Sequence, residues 1–137
     1  MDETNYKNSE AHDLFYTLFH ANPIPTSLSR MEDGVLVDVN EAYLNYFGYQ
    51  REDVLGQKDQ RLSQILEQDN FPELITQIQE KNNIHNFEME VNRSSGEARS
   101  VLVSVQRVEI EEKEALVSSF IDITARVRAE RKNQAPA

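Results

Sequence analysis

Phe87-Glu88-Met89-Glu90-Val91-Asn92 alternates apolar and polar side chains without a break, and Val101-Leu102-Val103-Ser104-Val105 repeats an apolar period of two. That period puts Phe87, Met89 and Val91 on one face of a strand and Glu88, Glu90 and Asn92 on the other. Ser94-Ser95-Gly96-Glu97 divides the two runs as a turn. A charged turn, Glu111–Glu114, leads into a third run, Ala115 to Ile123. There Leu116, Ser118 and Phe120 share one face, while Val117, Ser119 and Ile121 share the opposite one. Three successive strands with short connections pair as antiparallel neighbours.

Upstream of this block the period is helical. Phe71, Leu74, Ile75 and Ile78 fall at i, i+3, i+4 and i+7, behind an Asn70-Phe71-Pro72-Glu73 capping box. Leu62, Ile65 and Leu66 mark a further helical turn, and Gln57–Arg61 before them is polar. Arg51 to Leu55 reads as one short turn closing at Gly56. Asn40 caps a helix carrying Ala42, Tyr43, Leu44, Tyr46 and Phe47, which Gly48 ends. Before it, Thr26–Met31 and Val35–Val39 form a hairpin around Glu32-Asp33-Gly34. At the start of the chain, residues 1–9 are polar, and Ala11, Leu14, Phe15, Leu18 and Phe19 then make one apolar helical face stopped at Asn22-Pro23. Thr124 is expected to cap a closing helix, Ala125 to Lys132.

The fold class that follows is α+β: one five-stranded antiparallel sheet with short helices on one face, an N-terminal flanking helix and a C-terminal linker helix. The expected divisions are a flexible stretch over residues 1–10, a domain over 11–124 and a linker helix with tail over 125–137.

Composition narrows the function classes. With 137 residues, 39% hydrophobic and 28% charged, the chain can bury a core of its own. Cysteine is absent, which removes disulfides, thiolate metal sites and cysteine nucleophiles. A net charge of −10 opposes nucleic-acid binding, because the only basic cluster, Arg126 to Lys132, is interrupted by Glu130. No apolar run is long enough to insert in a membrane, and a cytoplasmic location is expected.

Four landmarks, in this order and spacing, make the chain resemble the PAS superfamily over residues 11–132. They are Phe19-His20-Ala21-Asn22-Pro23-Ile24-Pro25; Asp33-Gly34 with Val39-Asn40-Glu41-Ala42; Phe47-Gly48-Tyr49 with Glu52, Val54, Leu55 and Gly56; and Phe120-Ile121-Asp122-Ile123-Thr124. Gln50 departs from the pattern, since relatives place a better helix cap there. The resemblance implies a bacterial sensory module in which a ligand or partner biases the sheet. Asp122, Ile123 and Thr124 would then relay that bias through the last helix to an effector, such as a histidine kinase or a diguanylate cyclase.

Flavin-binding relatives carry an inward glutamine two residues before the exit aspartate, and that position here is Phe120. The resemblance therefore points the Ser118 and Phe120 face into a site with Phe87, Met89 and Val103, covered by Phe47, Ile65 and Leu74. This lining fits a small apolar ligand and fits equally a plain hydrophobic core. The cofactor is left unknown. Covalent flavin requires a cysteine, and haem-binding relatives place a histidine on the helix from Phe71 to Lys81, which has none. Non-covalent flavin would find no tryptophan to stack on.

Catalytic and metal-ligating sets are expected to be absent. Glu88, Glu90 and Glu109–Glu114 read as a solvated face, and the strand alternation supplies no inward carboxylate or histidine for acid–base work. The helix face of Leu14, Phe15, Leu18 and Phe19 must be covered, either by the chain's own sheet or by a second copy. A homodimer through this helix is the expectation. A ligand-free interaction module is the alternative function, and a small α+β enzyme with a cone-like sheet is a third.

Overall fold

The computed structural model describes residues 3–61, 64 and 71–134. Along the chain they form α1 (Glu3–Ala21), β1 (Thr26–Arg30), β2 (Leu36–Val39), α2 (Glu41–Phe47), α3 (Arg51–Val54), α4 (Phe71–Lys81), β3 (Asn83–Asn92), β4 (Ala98–Ile110), β5 (Lys113–Asp122) and α5 (Thr124–Gln134). The strands make one five-stranded sheet in the order β2-β1-β5-β4-β3. Every neighbouring pair is antiparallel. The last strand to leave the ribosome therefore lies at the centre and joins two hairpins that are far apart in sequence.

Register follows the alternation. Val103 stands between Phe87 on β3 and Phe120 on β5, and Val101 stands beside Met89. Val91, Val101, Val103, Val105, Leu116 and Phe120 are buried on the inner face with Leu36, Val39, Tyr43, Leu44, Phe47, Val54 and Ile78. The helices after β2 cover this face with Tyr43, Leu44 and Phe47 of α2, Val54 of α3 and Ile78 of α4. At the start of β3 the period slips between Ile84 and Phe87, where Asn86 takes φ 53°. Asparagine tolerates that left-handed geometry better than most residues.

Asn40 sets the entrance to α2. Its side-chain oxygen accepts from the Tyr43 N–H at 2.9 Å as the helix cap and from the Thr26 N–H at 3.0 Å. Its amide nitrogen donates to the carbonyls of Phe19, Asn22 and Ile24. One buried side chain thus fastens α1, β1 and α2 together. Gly48 ends α2 in the left-handed region at φ 82°, where its N–H reaches the Leu44 carbonyl.

α1 begins at Glu3, earlier than the apolar spacing from Ala11 indicates, because its extra turns are polar and carry no apolar period. It folds back on the outer face of the chain's own sheet. Phe19 is buried against Leu28 and Ala115, with Phe15, Val108, Ile110 and Val117 around it. The helix end is tied down by His20, whose Nε2 lies 2.8 Å from Asp38 Oδ2, while Arg51 holds the other oxygen of Asp38 at 2.7 Å.

Candidate functional site

The inner face is less apolar than the strand alternation alone indicates. β1 turns Ser27 and Ser29 inward, both fully buried, and Ser118 lies opposite Ser27 on β5. From the helical side, the stretch that reads as merely polar brings two charged residues inside. Asp59 is 2% exposed and Arg61 5%. Asp59 accepts from the Ser29 hydroxyl at 2.8 Å and from the Arg61 backbone N–H at 3.0 Å. The Arg61 guanidinium lies 4.6 Å over the Phe47 ring and 5.7 Å from that of Tyr49. Its Nη2 donates to the Asn92 carbonyl at 2.8 Å. Burial pushes the Tyr43 phenol well above the usual tyrosine range, the Asp59 carboxylate adds to that rise, and Arg61 opposes it.

The strand alternation supplies no inward carboxylate, but a loop brings one in: Asp59 is buried against the inner face. Its signal in the sequence was weak, since Gln57–Arg61 carries no apolar period that would place any of its residues inside. Among the described residues, no group of three His, Asp or Glu side chains gathers as metal ligands would.

The candidate site residues divide as follows. Phe47, Met89, Val103, Ser118 and Phe120 all lie on the buried inner face, and Phe87 is half-buried at its edge. Phe47 and Phe120 meet edge to face, ring centroids 5.3 Å apart, and Tyr43 lies 6.1 Å from Phe120. Leu74 belongs to α4. Ile65 lies outside the described residues.

At the exit corner, Asp122, Ile123 and Thr124 form a junction of three elements. The Asp122 carboxylate accepts from the Tyr46 hydroxyl of α2, from Arg99 Nε of β4 at 2.8 Å and from the Thr124 N–H of α5 at 2.9 Å. Burial opposes ionisation of Asp122. The hydrogen bonds from Arg99, Tyr46 and Thr124 outweigh it and hold the carboxyl well below the usual carboxylate range. Burial, then the bond to Asp122, pushes the Tyr46 phenol up to about 12.

The expected cap is corrected here. The Thr124 hydroxyl does not turn back onto its own helix but accepts from the Ser100 N–H at 2.9 Å, and Asp122 takes the Thr124 N–H instead. Ile123 is buried, and its N–H reaches the Ser100 carbonyl at 2.8 Å. Helix α5 is thereby pinned to β4 rather than only to the strand that precedes it. An open groove lined by Pro23, Pro25, Asn45, Tyr46, Arg93 and Arg99 runs beside this corner.

The four residues expected at a dimer contact separate. Phe15 and Phe19 pack on the chain's own sheet, whereas Leu14 is 60% and Leu18 62% exposed.

An antiparallel sheet with its helices on the inner face, an asparagine-capped α2 and a strand-to-helix exit through Asp-Ile-Thr defines a sensory α+β module. The chain belongs to the PAS domain family, whose model matches residues 24–125. Domains of this family are generally sensory, non-catalytic modules.

Solved structures show the same fold. One is the PAS domain of an HTR-like protein from Haloarcula marismortui: TM-score 0.63, 21% identity, with 88% of this chain and 98% of that one covered. Another is a PAS domain from a two-component sensor histidine kinase: TM-score 0.63, 20% identity, covering 83% and 98%. An RNA-binding light-oxygen-voltage receptor matches at TM-score 0.69 and 17% identity over 87% of this chain, which spans only 34% of that receptor chain. Comparison with curated protein sequences finds no match.

Proposed function

We propose that this domain senses a small ligand or a partner on its inner face and relays the event through α5 to an effector. A histidine kinase or a diguanylate cyclase is the kind of effector in view, in the cytoplasm. The observation that carries the reading is the Asp122 junction. One carboxylate binds α2 of the ligand-facing layer, β4 of the sheet and the first N–H of the exit helix. A displacement of α2 must alter the Asp122 bonds, and α5 starts from those bonds. The kinship with sensor PAS domains supports the same reading. A PAS domain from a LuxR-family regulator of Burkholderia thailandensis, 21% identical, was solved in complex with ethanol, so this fold can hold a small polar molecule.

A second reading, an interaction module whose inner face is only core, is favoured by the dense aromatic packing of Phe47, Tyr43 and Phe120. Self-association through the exposed Leu14 and Leu18 side of α1 is compatible with both.

Native mass spectrometry of the purified chain, with an absorbance scan of the same sample, separates the two. A protomer heavier than the sequence mass, returning to it on denaturation, is the expected result for a ligand-sensing domain. A clean sequence mass, unchanged after incubation with cell metabolite extract, overturns that reading in favour of the interaction module.

A further inference from the structure

Arg61 presents a problem that the rest of the fold leaves open. Its guanidinium cannot shed its charge, and the residue is 95% removed from solvent. Buried arginines are met by carboxylates, because an uncompensated cation in the interior is strongly destabilising. Among the described residues none forms an ion pair with Arg61. Asp59, two positions earlier, gives its carboxylate oxygens to the Ser29 hydroxyl and to the Arg61 main chain. The guanidinium is held by π-faces and by two oxygens without full charge, the Asn92 carbonyl and the Tyr49 hydroxyl. Its Nε–H is buried with no acceptor at all. On the sheet below, the Ser27 hydroxyl is likewise buried without a partner. Buried polar groups in native proteins are satisfied almost without exception, so two orphans bordering the same inner face mark a missing polar occupant.

We propose that Arg61 anchors a small amphipathic carboxylate on the inner face of the sheet. This deepens the ligand-sensing reading and rests on it. The chemistry selects the class. A carboxylate supplies the charge and the acceptor that the Arg61 fork lacks. Phe47 under the guanidinium, and Phe120, Met89 and Val103 of the same buried cluster, are apolar and suit a short hydrocarbon tail rather than a second charge. A phosphate ester is disfavoured by the same layout, because a dianion would meet one cation and lie near the Asp59 carboxylate. A neutral ligand would leave the guanidinium as it is.

The test uses the whole chain and two probes of one shape, hexanoate and hexanamide, in thermal melts at matched ionic strength. Hexanoate is expected to raise Tm by roughly 3–5 °C at about ten times its Kd, with hexanamide near zero. Arg61→Met keeps the apolar stem and is expected to weaken hexanoate at least about tenfold. In the wild-type protein, the Arg61 Nε–H resonance is expected to move on adding hexanoate, a readout that needs no variant. Equal shifts from hexanamide, or undiminished binding by Arg61→Met, overturn the carboxylate anchor while leaving a ligand site on the inner face. Absence of any hexanoate effect on Tm or on the Nε–H resonance also overturns the anchor and makes Arg61 a strut. The ligand-sensing reading is then decided separately by the native mass.

Discussion

The Tyr46 hydroxyl donates to the Asp122 carboxylate, joining residues 76 positions apart at the point where the sheet hands over to the last helix. The same carboxylate carries Arg99 and the first N–H of α5. Both partners are shifted in the sense this bond demands, Asp122 downward and Tyr46 upward. The corner is therefore stiff near neutrality, and its stiffness depends on the ionisation of one side chain.

Asp122→Asn keeps the shape and removes the charge. It is expected to lower stability at neutral pH by about 1.5–3 kcal/mol, the usual worth of hydrogen bonds to an ionised group. Because the folded carboxyl is depressed, its contribution is complete above the ordinary aspartate value of about 3.9 and is lost as pH falls towards the folded value. Urea melts from neutral to acid pH should show a shallower acid limb in Asp122→Asn; parallel limbs would argue against the assignment.

Tyr46→Phe tests the other end of the bond. A phenol raised to about 12 stabilises the fold below the ordinary tyrosine value of about 10 and loses that contribution between the two. The variant should show a gentler alkaline limb, with a residual slope from buried Tyr43. If Tyr46 steadies the exit helix, hydrogen exchange in the first turn of α5 should accelerate in the variant while that of β3 does not change.

Asn40→Ala removes all five hydrogen bonds of one buried side chain and leaves two N–H groups and three carbonyls without it. Unmet buried groups cost about 1–3 kcal/mol each and do not sum fully, so a loss of at least roughly 3 kcal/mol is expected in chemical denaturation. Asn40→Asp preserves the two acceptor bonds and should fall between wild type and alanine. A loss below about 1 kcal/mol for alanine would contradict the role of Asn40 as a three-element fastener.

At Gly48 a methyl group would stand 2.4 Å from the Ser94 hydroxyl oxygen, on a backbone at φ 82°. Ser94 also donates to the Gly48 carbonyl at 2.7 Å. Gly48→Ala is expected to cost about 1–2 kcal/mol from the left-handed backbone alone, with the clash added. Adding Ser94→Ala should recover the steric part and leave the backbone part. An unchanged Tm in the single variant would mean the loop yields.

Leu18 and Phe19 are neighbours with opposite exposures, 62% and 6%. Phe19→Ala should destabilise the monomer by about 3 kcal/mol, as core truncations do. Leu18→Asp should leave the melting curve within about 0.5 kcal/mol of wild type. If α1 mediates self-association, sedimentation should show Leu18→Asp shifted to the monomer at a concentration where wild type is dimeric. A wild-type chain already monomeric at micromolar concentration would dismiss the dimer.

The strands were legible where one face meets solvent. Met89 and Val91 alternate with glutamates and Asn92 and, like Val101, Val103 and Val105 on the next strand, recur every second residue on the inner face. Local caps were legible for the same reason: Asn40 and Gly48 act within a few residues of themselves. The hydroxyl of Thr124 was misread because its partner, Ser100, lies on another strand, and no short-range rule weighs a bond of that span. Arg61 and Asp59 were missed because charged residues are rarely buried, and only the approach of Phe47, Ser29 and Asn92 makes an interior position tolerable.

The sequence by itself determined the order of the described elements, the alternating faces of the strands of the β3–β5 block and the residues that begin and end α2, because periodicity and capping are local physics, while the inward side of β5 followed from the family resemblance. The tertiary structure alone decided that β5 lies between β1 and β4, and that Phe15 and Phe19 cover the chain's own sheet. It also decided that one carboxylate at position 122 joins α2, β4 and α5, and that a guanidinium ends among aromatic rings. Those outcomes depend on which surfaces meet after collapse, and burial energy and charge compensation act between residues the chain keeps far apart.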